Sequence, residues 1–86
     1  MKINNMEVFR RKCRACLIEW VNAHRNRTID IDNTDVVWSC KTLQNCKCLC
    51  STNVEGDTIY AEFTYNGDKQ ELYCDYYTKE ENVVER

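Results

Sequence analysis

Residues 58–77, TIYAEFTYNGDKQELYCDYY, decide the fold because they have the pattern of two alternating strands joined by a turn. Tyr65-Asn66-Gly67-Asp68 has the composition of a type I′ turn, since asparagine and glycine accept the positive φ angles that this turn requires. Pairing outward from it places Ile59 opposite Cys74. One face then carries the mainly apolar residues Ile59, Ala61, Phe63, Leu72, Cys74 and Tyr76. The opposite face carries Tyr60, Glu62, Thr64, Lys69, Glu71, Tyr73 and Asp75. A sheet with one apolar face is typical of a two-layer α+β domain.

A second hairpin is predicted upstream, with strands over 36–42 and 46–52. We expect the loop Leu43-Gln44-Asn45, which places Cys40 opposite Cys48 and Trp38 opposite Cys50 on one apolar face. An alternative register places Lys41 opposite Cys48 and Ser39 opposite Cys50, and it is disfavoured because register follows burial. Residues 28–35 (TIDIDNTD) are predicted to form either a short edge strand or an ordered loop.

An amphipathic helix is predicted over about 5–24. Its apolar stripe consists of Met6, Phe9, Cys13, Cys16, Leu17, Trp20 and Val21. Asn4 or Asn5 can cap the first turn. Glu7 lies in this turn, where the helix dipole favours a negatively charged side chain. The cations Arg10, Arg11, Lys12 and Arg14 lie off the stripe and are expected in water.

The fold class is therefore α+β, a single domain over 1–86 in which the N-terminal helix packs on a four-stranded, mostly antiparallel meander. The predicted strands are about 36–42, 46–52, 58–65 and 69–77, followed by a polar tail at 78–86 with a short helical turn around Val83 and Val84. The chain has 86 residues, of which 43% are hydrophobic, and it contains no proline and two glycines. No apolar run reaches the ~18 residues of a membrane span, and the N-terminus lacks the apolar region of a secretory signal.

Seven cysteines are present: Cys13, Cys16, Cys40, Cys46, Cys48, Cys50 and Cys74. The odd number and the lack of a signal predict reduced, mostly buried thiols in a cytoplasmic protein. Cys13 and Cys16, with Cys46, Cys48 and Cys50, are the ligands that a zinc site would use. Such a site is not favoured, because alternate strand residues point in parallel about 6.5–7 Å apart. We expect no cofactor.

Charge is divided unevenly along the chain. Residues 1–27 carry a net +5 and residues 28–86 a net −7. One interpretation is internal complementarity. The alternative is a basic helix surface for a phosphate-bearing ligand or an acidic partner. The candidate binding residues are Arg10, Arg11, Arg14, Arg25, Arg27, Tyr60 and Tyr73, the tyrosines as stacking platforms.

No catalytic constellation is recognisable. His24 is the only histidine, and the sequence has neither a P-loop nor a G-x-G-x-x-G motif. Asp30, Asp32 and Asp35 do not match a calcium-binding EF-hand, which requires glycine at the sixth loop position and glutamate at the twelfth. We expect no enzymatic activity.

Four segments carry a family resemblance: VVWSCKTLQN at 36–45, STN at 51–53, FTYNGDK at 63–69, and ELY at 71–73 through ENV at 81–83. Together they resemble a small family of unknown function from bacteriophages and prophages of low-GC Gram-positive bacteria. That resemblance covers roughly 36–84 and implies a phage-borne accessory protein made inside a bacterial host, with no assigned reaction. The similar sequences tend to carry tryptophan, alanine, leucine and leucine in place of Cys46, Cys48, Cys50 and Cys74, which supports core positions for these thiols.

The expected function is non-enzymatic: a cytoplasmic phage or prophage protein that binds a host factor and inhibits a bacterial defence component. The alternative is a nucleotide- or nucleic-acid-binding module that uses the basic helix, and a third hypothesis is a metal- or thiol-stabilised structural protein. Tyr60, Tyr73, Tyr77 and Val37 form a potential exposed patch, so a homodimer is also predicted.

Overall fold

One helix packs against one face of a four-stranded antiparallel sheet, as the sequence predicts. The computed structural model describes residues 5–25, 27–54, 57–78 and Glu85. Helix α1 spans Met6–His24, a single 3-10 turn spans Ile31–Asn33, and the strands are β1 (Thr34–Thr42), β2 (Asn45–Thr52), β3 (Ile59–Asn66) and β4 (Glu71–Thr78). The strand order is β1-β2-β3-β4, and α1 packs chiefly on β1 and β2. Within the described residues, no helix combines the length and apolarity needed to cross a membrane.

Helix α1 begins and packs as its sequence pattern indicates. Asn5 is the N-cap, and its side chain accepts a hydrogen bond of 2.8 Å from the amide of Val8. The predicted stripe faces the sheet, with four residues buried (Phe9, Cys13, Leu17 and Val21) and three half-buried (Met6, Cys16 and Trp20). Across from it, the sheet buries Cys46, Cys48, Cys50, Ile59, Ala61, Phe63 and Tyr65. The prediction that Arg14 lies in water is wrong, because this residue is half-buried against the start of β1.

The segment before β1 is an ordered loop rather than an edge strand. The side chain of Asp30 caps the 3-10 turn by accepting a hydrogen bond of 3.0 Å from the backbone amide of Asp32. The side chain of Asn33 in turn accepts a hydrogen bond of 3.1 Å from the backbone amide of Asp30. Thr34, only 1% exposed, then starts β1. This local network fixes where the chain enters the sheet.

The predicted register of β1 and β2 is wrong by one residue. A two-residue turn, Leu43-Gln44, joins the strands, so that Ser39 rather than Cys40 lies opposite Cys48, and Trp38 lies opposite Leu49. Because side chains alternate between faces, this slip turns Trp38 and Cys40 away from α1. A bulge between Val36 and Trp38 returns Val36 to the helix side.

The β3–β4 hairpin has the predicted faces but not the predicted register. Phe63, not Ile59, lies opposite Cys74, because the connection is a four-residue loop over 67–70. The side chain of Asn66 accepts from the amides of Asp68 (3.1 Å) and Lys69 (3.2 Å), and so holds the wider loop. The positive φ of 52° falls on Gln70. The shift is four residues, an even number, so each strand side chain keeps its predicted face, whereas Lys69, predicted on the outer side of the sheet, lies in the loop.

Gly67 is required by a close approach between the two hairpin turns. A Cβ atom at this position would lie 2.2 Å from the carbonyl oxygen of Gln44. The amide of Gly67 also donates to the side chain of Asn45 at 3.2 Å. The β1–β2 and β3–β4 turns are therefore packed together at one end of the sheet.

Candidate functional site

The sheet surface away from α1, called the outer face below, has no layer over it among the described residues. Register and alternation place there, among others, Trp38, Cys40, Lys47, Leu49, Ser51, Tyr60, Glu62, Thr64, Asn66, Glu71, Tyr73, Asp75 and Tyr77. Trp38, Tyr60, Tyr73 and Tyr77 are 51%, 39%, 45% and 53% exposed. Exposed aromatic side chains grouped on one surface are characteristic of interaction sites.

Charge on the outer face is mainly negative. Lys47 pairs with Glu62 at 2.7 Å across β2 and β3, and that hydrogen bond raises the pKa of Lys47. Asp75 lies directly opposite Glu62 on β4. Glu71 accepts a hydrogen bond from the hydroxyl of Tyr73, which raises the pKa of this tyrosine. The outer face therefore carries the three carboxylates Glu62, Glu71 and Asp75, of which Glu62 pairs with Lys47.

The arginines predicted as binding residues do not join the tyrosines. Arg10, Arg11 and Arg14 line a cleft of about 630 Å³ on the helix side, together with Glu7, Ile31, Thr34, Asp35 and Val36. Tyr60 and Tyr73 lie on the opposite side of the sheet. The structure thus divides the predicted arginine and tyrosine set between two surfaces.

Arg14 is held firmly in the cleft. Its Nη2 donates to the carbonyl oxygens of Ile31 (2.8 Å) and Thr34 (2.9 Å), and its Nε donates to the hydroxyl of Thr34 at 2.8 Å. Arg10, one helical turn earlier, donates from Nε to the hydroxyl of Ser39 at 2.9 Å. Both guanidinium groups are positioned by neutral oxygen atoms.

Arg25 and Arg27 have a different role, because both pair with Asp57 in the segment before β3. The distances from their Nε atoms to the carboxylate oxygens are 3.6 Å and 3.5 Å. Arg25 also donates to the hydroxyl of Thr78 at 2.8 Å. Its guanidinium carbon lies 5.5 Å from the ring centre of Trp20. These contacts join the end of α1 to the sheet.

Three aromatic rings form a stack beside this junction. Trp20 lies between His24, 4.5 Å away, and Tyr76, 4.7 Å away, measured between ring centres. The hydroxyl of Tyr76 donates to the carbonyl oxygen of Cys16 at 3.3 Å, and burial raises the pKa of this tyrosine. His24, the only histidine, therefore caps a stack of rings at the end of the helix.

The cysteines divide into a buried group and more accessible ones. All seven are free thiols; Cys13, Cys46, Cys48 and Cys50 are buried, as predicted, while Cys16, Cys40 and Cys74 are half-buried. The Sγ atoms of Cys48 and Cys50 lie 3.6 Å apart. Among the described residues, no group of three or more histidine, cysteine, aspartate or glutamate side chains is arranged to hold a metal ion.

Cys13, Cys48 and Cys50 interact in the core, where the thiols of Cys48 and Cys50 are within hydrogen-bond distance. The bonds to Cys48, followed by burial, raise the pKa of Cys13 and of Cys50. The same bonds lower the pKa of Cys48, and the positive charge of Arg10 adds to this effect.

Trp38 is the main surface residue that sequence reasoning missed. The predicted register buried it opposite Cys50, whereas the bulge at Val37 and the two-residue turn expose it. Neither the turn length nor the bulge has a clear signal in this sequence, since the loop residues contain no glycine.

Comparison with known proteins identifies a family for most of the chain. A model described as a family of unknown function, DUF6275, matches residues 10–86. No curated protein and no solved structure matches the chain.

Proposed function

The chain belongs to the DUF6275 family of unknown function, and we propose that it is a non-enzymatic binding protein whose outer face docks a basic partner protein. The observation that carries this proposal is the grouping of Trp38, Tyr60, Tyr73 and Tyr77 on the uncovered side of the sheet. Tyrosine and tryptophan are enriched at the centres of protein interfaces, where truncating them costs the most binding energy.

The charge of the outer face favours a basic partner over a second copy. Packing two outer faces together would bring two net negative surfaces into contact, because each carries Glu62, Glu71 and Asp75 against Lys47, and like charges oppose such contact. A partner surface with lysine or arginine would instead complement them. Arginine is also enriched at interfaces and stacks on aromatic rings. The homodimer predicted from the sequence is therefore not the occupant we assign to this face.

The size of the outer face limits the strength of the interaction. Three strand spacings and eight residues give a surface of about 14 by 26 Å, or roughly 400 Å². A standard interface buries about 800 Å² on each partner. The outer face alone thus fits a weak or transient complex, unless the partner also contacts the sheet edges.

The biological setting follows from the resemblance of VVWSCKTLQN and TYNGDK to phage and prophage sequences. The protein is accordingly a phage or prophage accessory protein, acting in the cytoplasm of the bacterial host. Its partner is a host factor, such as a defence component that binding would inhibit. The absence of a recognisable catalytic motif in the sequence supports binding rather than catalysis.

Cross-linking in a bacterial host followed by quantitative mass spectrometry tests this proposal. The baits are the wild type, the outer-face double variant Tyr60→Thr/Tyr77→Thr, and Val8→Ser as a control that removes an exposed apolar side chain from the helix. Tyr60 and Tyr77 lie directly opposite each other, and threonine preserves strand propensity. Circular dichroism checks that each variant is folded.

The expected partner is a basic protein retained by the wild type and by Val8→Ser but lost by the double variant. With that partner purified, Asp75→Lys should weaken binding by reversing one charge while keeping the aromatic contacts. Equal capture by the double variant, or an acidic partner, would refute the proposal. A wild-type dimer that the double variant abolishes would assign the outer face to a second copy instead.

A further inference from the structure

The arginines singled out by the sequence differ in what neutralises them. Arg11 pairs with Glu7 at 3.5 Å, and Arg25 and Arg27 both pair with Asp57. Arg10 and Arg14 instead donate only to hydroxyl and carbonyl oxygens within the part of the chain that the structure describes. These two cations without a carboxylate partner line the same cleft.

We propose that the cleft between the first half of α1 and the start of β1 binds the phosphate group of a small phosphorylated ligand, with Arg10 and Arg14 as its binding residues. The cleft lies on the helix side of the sheet, so this inference does not depend on the outer face. A negative result for partner binding at the outer face would leave the phosphate-binding proposal intact, and the reverse also holds.

The spacing of the two arginines leaves a charge to be compensated. Arg10 and Arg14 are four residues apart on the helix, which places their Cβ atoms about 5–6 Å from each other. Like charges at this spacing repel, and a bound anion would relieve the repulsion. The cleft also contains Glu7 and Asp35. However, Glu7 already pairs with Arg11, and Asp35 accepts a hydrogen bond of 3.2 Å from the Asn53 amide group.

The geometry around the arginines suits a phosphate group. A guanidinium group presents a planar fork of donors that matches phosphate oxygens. Arg10 uses only Nε in its bond to Ser39, so both Nη groups remain available for a ligand among the described contacts. Arg14 is fixed by three hydrogen bonds, and a side chain that is already ordered loses little entropy on binding.

The size and lining of the cleft favour a small ligand over a nucleic-acid strand. Its volume of about 630 Å³ lies within the range of small-molecule sites. Ile31, 42% exposed, and the half-buried Val36 add an apolar surface for the organic part of the ligand. A longer nucleic acid would need stacking platforms beside the cations, but Tyr60 and Tyr73 lie on the opposite, acidic face.

Thermal unfolding with inorganic pyrophosphate, AMP and a single-stranded oligonucleotide tests the inference. At a probe concentration ten times the dissociation constant, binding to the folded state alone raises the Tm of a domain this small by about 5–10 °C. Isothermal titration provides the affinity. The variants are Arg10→Gln, Ser39→Ala, which keeps the charge but frees the Arg10 side chain, and the control Arg27→Gln.

We expect pyrophosphate or AMP to raise the Tm of the wild type and of Arg27→Gln, with the shift lost in Arg10→Gln and reduced in Ser39→Ala. Equal affinity for both probes indicates recognition of the phosphate alone, and tighter binding of AMP assigns its organic part to the Ile31 side. No Tm shift with either probe, an unchanged shift in Arg10→Gln, or binding of the oligonucleotide alone would overturn the inference. If Arg10→Gln fails to fold, an unaltered affinity of Ser39→Ala for pyrophosphate and AMP would likewise overturn the inference.

Discussion

Arg14 donates hydrogen bonds to both the hydroxyl and the carbonyl oxygen of Thr34, at 2.8 and 2.9 Å. Thr34 is the first residue of β1 and is 1% exposed, so the contact lies at the point where the chain enters the sheet. The same guanidinium group reaches the carbonyl of Ile31 at 2.8 Å. One side chain of α1 therefore holds the 3-10 turn and the start of the first strand together.

Arg14→Gln should destabilise the protein by about 2 kcal/mol, because bonds from a charged donor to partly buried oxygens are lost. Arg11→Gln is the matched control, since Arg11 and Glu7 form an ion pair whose side chains are 73% and 80% exposed. We expect the control to change stability by less than about 0.5 kcal/mol. Urea unfolding measures both, and equal losses would mean that the Arg14 contacts contribute little.

Gly67→Ala should also destabilise the protein, although replacing glycine by alanine often stabilises by restricting the unfolded chain. The added Cβ would lie 2.2 Å from the backbone oxygen and 2.6 Å from the Cβ of Gln44, so the two turns must separate. We expect a loss of about 1–3 kcal/mol, as for overpacked sites. Thermal unfolding tests this against Asp68→Ala in the same loop, and a Gly67→Ala protein as stable as wild type would contradict the close approach.

The two hairpins show which part of the sheet the sequence could predict. The predicted pairing of Phe63 differs by four residues from the pairing with Cys74 that the structure shows. Because four is even, every side chain within the two strands of the last hairpin has its predicted face. In the first hairpin the pairing of Cys48 differs by one residue, which moved Trp38 and Cys40 to the opposite face. Alternation is encoded by residue type, whereas register depends on turn length and on bulges such as that at Val37.

The candidate site was only partly predictable for a similar reason. The sequence identifies Arg10, Arg14, Arg25 and Arg27 as cations near one helix, but it does not show which of them meets a carboxylate. Asp57 lies far along the chain and neutralises two of them. Pairing of this kind depends on loop conformation, which has no periodic signal in the sequence.

Cys48→Ala should cost about 1 kcal/mol, because it removes a buried sulfur and leaves a small cavity in the core. Cys40→Ala, at a half-buried position on β1, serves as the control and should cost less. Urea unfolding under reducing conditions measures the difference. Adding a metal chelator should leave the wild-type unfolding curve unchanged, and unfolding by the chelator would instead indicate a metal bound by the thiols.

Stability should fall between pH 9 and pH 10 because Cys13 and Cys50 resist ionisation in the folded protein. Their pKa values are raised above the ordinary thiol value of 9.0, so the unfolded chain loses these protons while the folded chain retains them. The stabilising contribution is complete below pH 9 and decreases above it. Each of the two thiols should lower the free energy of unfolding by about 1 kcal/mol over this interval.

Cys50→Ala separates this effect from the titration of other groups. Without the Cys50 thiol, the free energy of unfolding should fall by about 1 kcal/mol less between pH 9 and pH 10 than it does in the wild type. Cys40→Ala should follow the wild-type slope. Urea unfolding in the presence of a phosphine reductant, at closely spaced pH values, provides the comparison. Parallel curves for Cys50→Ala and wild type would mean that the Cys50 thiol ionises as readily in the folded core as in the unfolded chain, and that its surroundings do not retain the proton.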